Sequence, residues 1–208
     1  MAEQGAEHGG HLGAVYGAKA PEQVAAAYDS WAESYDAEMA ASGYRHPTIG
    51  LALLARHLPR GARPLLDAGV GTGLAGAWYG IMGWPEVWGI DISEGMLAVA
   101  AAKGSYARLS RAVLGGPLDF ADGQFAGVIS TGVFTTGHVG AEALPELLRI
   151  TAPGGVIVLT VKGTLWDGGF ADALRALPVE VLELTEPYVS MPGDAATTPS
   201  RAVALRRR

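Results

Sequence analysis

The stretch Asp67-Ala68-Gly69-Val70-Gly71-Thr72-Gly73 alternates small residues with glycines behind an acid. A second acid, Asp91, stands about twenty residues farther on, the spacing of a nucleotide site. A glycine has no Cβ, so a ligand can approach the main chain closely and the chain can take positive φ. An acid ending the next strand accepts hydrogen bonds from two ribose hydroxyls. Loop and acid together therefore suit a ligand that carries a nucleoside. A bare strand-to-helix turn with an acidic helix-start residue would use the same residue types, but here both features fall at the distance such a ligand requires.

Other residues could act on whatever lies beside that ligand. His138, in Thr135-Thr136-Gly137-His138, follows a strand and is a candidate general base or acceptor-binding residue. Arg45 could meet a carboxylate, although a surface arginine has the same sequence signature. Tyr28, Trp31 and Tyr35 could cap the ligand, or form a helix face packed on the core. His46 and His57 read as structural or exposed. No paired carboxylates or histidine constellation argue for a metal. The chain has no cysteine, which excludes disulfides, thiolate metal sites and a cysteine nucleophile. Its net charge of −6 disfavours a phosphate backbone as partner. The one dense basic run, Arg206-Arg207-Arg208, reads as a solvated terminus. No apolar run approaches the ~18 residues that cross a bilayer, and the start lacks the features of a secretory signal, so a cytoplasmic location without membrane association is expected.

These residues need elements to position them. Residues 1–13 read as a disordered tail that includes His8 and His11. A helix is expected over Pro21–Ala41, with Val24, Tyr28, Trp31, Tyr35 and Met39 on one face, and another over Pro47–His57. Then the period changes. Short apolar strands are expected at Pro64–Val70, Val87–Asp91, within Tyr106–Leu114, at Phe125–Thr131 and at Val156–Val161. Helices alternate with them at Leu74–Met82, Glu94–Lys103, Glu142–Thr151 and Asp167–Leu177, and Ser93 suits an N-cap. A final strand pair is expected at Val179–Leu184 and Arg201–Leu205. The alternation predicts an α/β fold: one Rossmann-like, doubly wound, mostly parallel sheet with a final antiparallel strand and an N-terminal helical lid. The expected division is a tail over 1–13, a lid segment over 14–62 and a cofactor-binding core over 63–208. Ligands of such sheets sit beyond the carboxyl ends of the strands.

Gly71-Thr72-Gly73-Leu74-Ala75-Gly76 also matches the dinucleotide fingerprint, so the loop alone fits S-adenosylmethionine (SAM) or NAD. Asp67 inside the first strand, the helical segment before the loop, and a strand pair where a hydride acceptor's domain would stand favour SAM. An acid at 67 could hold the loop through backbone N–H groups or, through water, the SAM ammonium.

Leu65–Gly73 resembles the first motif of the class I SAM-dependent methyltransferases, Gly89-Ile90-Asp91-Ile92-Ser93-Glu94-Gly95-Met96-Leu97 the second, and Thr151-Ala152-Pro153-Gly154-Gly155 their late Pro-Gly-Gly turn. Within that superfamily, Tyr28-Asp29-Ser30-Trp31-Ala32-Glu33-Ser34-Tyr35-Asp36, Gly43-Tyr44-Arg45, Leu114-Gly115-Gly116-Pro117-Leu118 and Ala143-Leu144-Pro145-Glu146-Leu147 are similar to the methyltransferase-like proteins of the Williams–Beuren syndrome region. The resemblance implies that Asp67, Gly69, Gly71 and Gly73 border the methionine part of SAM and that Asp91 holds the ribose. It puts Ile92, Met96, Leu114 and Gly115 near the adenine and Thr131 and Gly132 on the pocket floor. Phe125-Ala126 departs from the family's Phe-Asp.

Methyl transfer from a sulfonium is an in-line displacement that a protein can promote by alignment and desolvation, so no obligatory catalytic residue need stand out. Ser130-Thr131-Gly132-Val133-Phe134 stands where an Asn/Asp-Pro-Pro-aromatic segment would suggest amino methylation of a nucleobase. Without a cysteine thiol, pyrimidine C5 methylation through a covalent adduct is excluded. A small-molecule acceptor is the expected partner. The competing readings are an NAD(P)-dependent oxidoreductase and a non-catalytic SAM-fold binding protein.

Overall fold

The computed structural model describes residues 9–18, 20–135 and 138–208. Seven segments form strands: β1 (Leu65–Ala68), β2 (Val87–Asp91), β3 (Arg108–Arg111), β4 (Phe125–Phe134), β5 (Thr151–Lys162), β6 (Val179–Leu184) and β7 (Ser200–Arg207). They join in one sheet of order β3-β2-β1-β4-β5-β7-β6. β1 pairs in parallel with β2 and β4, β2 with β3, and β4 with β5. Only β7 runs against its neighbours. The strand order reverses beside β1, and a crevice opens there beyond the carboxyl ends of β1 and β4.

Alternation along the strands divides the core into two layers. Leu65, Ile129, Val156 and Val158 face one side, where they meet Leu51, Leu53, Leu54 and Leu58 around the helix α4 (His46–His57). Leu66, Val128, Ile157 and Leu159 face the other, against Leu144, Leu147 and Ile150 of α7 (Leu144–Ile150) and against Phe170 and Leu174. Central strands covered on both faces explain why β5 reads as a continuous apolar run rather than an alternating one.

Several elements differ from expectation. Helix α1 (Gly10–Gly17) occupies part of the expected tail, because Val15 is buried with Trp31, Met39, Met96 and Met191. Residues 1–8, with His8, lie outside the described residues. The single helix expected over Pro21–Ala41 is two, α2 (Pro21–Trp31) and α3 (Tyr35–Ser42), the latter ended by Gly43 at positive φ. The break at residues 32–34 separates the two helices, and each is attached through its own acid, Asp29 in α2 and Asp36 in α3. Helix α5 (Gly76–Met82) starts two residues later than expected, and α6 (Glu94–Ala102) starts where Ser93 caps it. β5 begins at Thr151, which pairs with Phe125, so the Pro153-Gly154-Gly155 segment lies inside the strand at a register shift. The last helical stretch is α8 (Gly163–Leu165), a π-helical turn over Trp166–Phe170 with Gly169 at φ 113°, and α9 (Ala171–Arg175). Arg206 and Arg207 belong to β7 instead of a free tail, and Arg207 donates to the carbonyl of Arg149. The expected boundary at residue 62 cuts through one hydrophobic layer, since α4 is part of the sheet's cover.

Leu54 has no exposed surface. Leu54→Ala should therefore lower unfolding free energy by about 2–5 kcal/mol, the range for a leucine cavity in a packed core. Denaturant titration would measure it, and a loss below ~1 kcal/mol would place α4 outside the core.

Candidate functional site

β1 ends at Ala68, and the chain turns on Gly69, Gly71 and Gly73, all at positive φ. A Cβ on Gly69 would lie 2.2 Å from Val133 Cγ2, whereas one on Gly71 would meet nothing within 4 Å. The first glycine is demanded by packing; the second faces open space. The main-chain N–H groups of Gly69 and Val70 donate to the carbonyl of Ile90, at 2.8 and 2.9 Å. The loop is thereby clamped to the end of β2.

Asp91 completes the clamp. Its Oδ2 accepts from the Gly71 N–H at 2.8 Å and its Oδ1 from the Ser93 N–H at 3.0 Å. Burial raises its pKa, opposed by the backbone N–H groups of Ser93, Gly71 and Ile92. A carboxylate offers about four lone-pair sites, so these backbone bonds leave room for a hydroxyl donor from a ligand. Ser93 Oγ accepts from Met96 N–H at 3.0 Å and donates to Asp29 Oδ1 at 2.6 Å. Asp29 also accepts from Gly95 N–H at 2.8 Å. Helix α2 is thus pinned to the start of α6. Helix α3 is pinned through Asp36, which accepts from Thr72 of the glycine loop and pairs with Lys103.

Asp67 does not bond the loop's backbone. Its Oδ2 accepts from the hydroxyls of Tyr79 at 2.8 Å and Tyr106 at 2.9 Å. Burial pushes its pKa up to about 6, and the two hydroxyls moderate the rise. Asp67 lines a small recess with Gly69, Gly71, Tyr35 and Tyr44.

Between loop and lid lies a cavity of about 180 Å³, where a single water needs only about 10–15 Å³. Among the residues singled out in the sequence, it brings together Tyr28, Tyr35, Gly69, Gly71, Asp91, Ile92, Met96, Leu114, Thr131, Gly132 and His138. Gly73 is not in this lining: a Cβ added there would meet Tyr106 and Ala100. Nor is Gly115, which lies nearer Glu142. Trp31 is absent too, and faces a second, adjoining cavity. Arg45 is exposed and lines neither of these two cavities; its backbone N–H donates to the Ser190 carbonyl. Thr136 and Gly137, beside His138, lie outside the described residues.

Sequence reasoning missed Tyr44, which lines both cavities. Its hydroxyl would sit 1.9 Å from a Cβ on Gly132, so that glycine is what admits the ring. Tyr44 is hydrogen bonded to Tyr35, and burial raises the pKa of both. Tyr44 stands next to Arg45 in a segment whose period gave no sign of a cavity. His138 Nε2 lies 2.9 Å from the carbonyl of Val15, which can only accept. The ring therefore carries its proton on Nε2 when neutral, and Nδ1 is the basic nitrogen.

The raised pKa of Asp67 couples folding stability to pH. With a folded pKa near 6 against an ordinary 3.8, the native state holds the proton more tightly. Its contribution is full below about pH 4 and is lost as pH rises through about 6, a change of about 3 kcal/mol. Asp67→Asn should remove that slope from the pH dependence of unfolding free energy. An unaltered slope would reject the assignment.

Residues 66–159 match the methyltransferase domain family. The chain is 36% identical over 176 residues to human methyltransferase-like protein 27, spanning 82% of this chain and 71% of that protein. Two solved structures share the fold. One is the TehB-like SAM-dependent methyltransferase of Corynebacterium glutamicum, at TM-score 0.63 and 23% identity over 88% of this chain and 98% of that one. The other is the [4+2]-cyclase SpnF, at TM-score 0.66 and 18% identity over 91% of this chain and 97% of that one. These matches decide between the two cofactors that the glycine loop admits: SAM is the cofactor, and the NAD reading is set aside. The chain belongs to the class I SAM-dependent methyltransferases.

Proposed function

We propose that this methyltransferase modifies a small-molecule acceptor held under the N-terminal helices. The observation that carries the reading is the enclosure of the site. The cavity beside the glycine loop is roofed by Ala20, Pro21, Val24 and Tyr28 of the α2 region, and a second chamber adjoins it through Tyr28, Tyr35, Tyr44, Gly132 and His138. A pocket closed in this way suits a metabolite better than a polymer, and the net charge of −6 points the same way.

When bound, SAM supplies a methyl group already activated as a sulfonium. The chain's own residues would bind and align. Gly69 and Gly71 would let the methionine part approach the main chain, with Asp67 in the recess beside them. Asp91 would accept from the ribose hydroxyls through the lone pairs that Gly71 and Ser93 leave free. Ile92, Met96 and Leu114 would enclose the adenine, and Thr131 and Gly132 would form the floor. Gly73 and Gly115 would act by shaping the loops rather than by contact. Tyr28, Tyr35 and Tyr44 would exclude water from the reacting atoms. His138, fixed by Val15 through Nε2, would take a proton from the acceptor at Nδ1.

Calorimetry with S-adenosylhomocysteine tests the cofactor site. Wild type should bind it and ignore NAD, and Asp91→Ala should weaken binding by about 10- to 100-fold, the loss of charge-assisted hydrogen bonds. Binding of NAD in place of S-adenosylhomocysteine would overturn the assignment. Transfer of labelled methyl from SAM into a metabolite extract tests catalysis. On the acceptor so found, His138→Ala should lower turnover by about 10²-fold or more with little change in S-adenosylhomocysteine affinity. Unchanged turnover would dismiss the general base.

A further inference from the structure

The chamber next to the cofactor cavity holds a positive charge with no counter-charge among the described residues. Lys162, the last residue of β5, is only 9% exposed. The ion pairs among the described residues engage Arg56, His57, Lys103, Arg149, Arg175 and Arg206, and none engages Lys162. Its ammonium lies 5.8 Å from the centroid of the Tyr16 ring, a weak cation–π contact. A chain that carries −6 overall places no Asp or Glu in the lining of this chamber. Burying an ammonium without an anion is expensive, so such a group is kept where something else supplies the charge.

Three more polar groups in the same lining lack partners. Ser190 Oγ, Thr135 Oγ1 and Trp31 Nε1 are buried and make no hydrogen bond among the described residues. An indole N–H and an ammonium can only donate, and the two hydroxyls can donate. The set is short of acceptors. His46 closes the chamber and stays neutral: burial and the charge of Lys162 hold its pKa down to about 3, with Nδ1 hydrogen bonded to the Tyr188 hydroxyl at 2.7 Å. The chamber measures about 40 Å³, room for a few waters or one small polar group. One positive charge and so little space suit a singly charged, compact acceptor-rich group rather than a phosphate of nearly two charges.

We infer that the methyl acceptor is a small carboxylic acid whose carboxylate enters this chamber against Lys162, Ser190, Thr135 and Trp31. Its remaining part extends past Tyr44, Gly132 and His138 toward the cofactor cavity, because these residues line both spaces. The inference rests on the small-molecule reading above and narrows it. Lys162 is the specificity residue and takes no part in the chemistry.

The test uses the full chain saturated with S-adenosylhomocysteine, titrated with acetate, benzoate and phenylacetate, each against its own carboxamide. At least one acid should bind at least tenfold more tightly than its amide. Lys162→Met should abolish that preference, Lys162→Arg should restore part of it, and S-adenosylhomocysteine affinity should stay within about twofold in both variants. Without any acid, Lys162→Met should be at least as thermally stable as wild type, since it removes a buried unpaired charge. Equal binding of acid and amide, binding of none of the acids, or a preference that survives Lys162→Met overturns the inference. A fall in thermal stability in Lys162→Met without acid would also overturn it, by showing that the ammonium already has its partner. Loss of S-adenosylhomocysteine binding by wild type would instead sink the cofactor assignment beneath it.

Discussion

The site depends on one carboxylate. Asp91 accepts from Gly71 with one oxygen and from Ser93 with the other, and so fixes the glycine loop, the end of β2 and the start of α6 relative to one another. Each of these three could form alone from local preferences. Their mutual placement could not, because a loop at positive φ has no ladder of its own to hold it. The same bonds stabilise the ionised carboxylate against the cost of burial, which raises its pKa. An acid at this point is therefore a strut of the site, apart from the ribose contact proposed for it.

The lid is attached by the same chemistry one step farther out. Asp29 reaches Ser93 and Gly95, and Asp36 reaches Thr72 and Lys103. Gly95 permits the first attachment, for a Cβ there would lie 3.0 Å from the Asp29 Cα. The bonds that position α2 and α3 thus end on the glycine loop and on α6, both of which border the cavity. Loop and lid are thereby coupled: Ser93 belongs to both sets of bonds, and Thr72 of the loop bonds the lid directly. Asp67 contrasts with these acids. Sunk beneath the loop and bonded only to two tyrosine hydroxyls, it carries the burial cost with less compensation, and its pKa rises to about 6.

Much of this was legible in the chain. Alternation of apolar strands with amphipathic helices gave the doubly wound sheet, and each of β1 to β7 overlaps a segment expected from residue pattern alone, although β5 starts well before its expected segment, at Thr151. The glycine loop and Asp91 were found because a backbone-lined cradle tolerates few residue types, so its chemistry is written in contiguous sequence. Patterns were misleading where a local period has two tertiary outcomes. Val24, Tyr28, Trp31, Tyr35 and Met39 keep helical spacing across residues 32–34, yet the helix breaks there to satisfy two docking contacts on different elements. Gly10–Gly13 are polar and glycine-rich enough to suggest a tail, yet Val15 draws them into a helix.

By itself, then, the sequence determined the fold class, the cradle and the acid beyond it, because each follows from short-range rules of period, main-chain freedom and spacing. Tertiary structure alone decided what fills the space around them. Tyr44 and His46 are neighbours at the start of α4, but Lys162 ends β5 and Ser190 precedes β7, and only folding gathers these three segments at one chamber. Trp31 and Tyr35, four apart on the sequence, meet edge to face and share that chamber, yet of the two only Tyr35 also lines the cavity beside the glycine loop. Whether a buried charge has a partner is a property of three-dimensional neighbours, and no one-dimensional pattern records it.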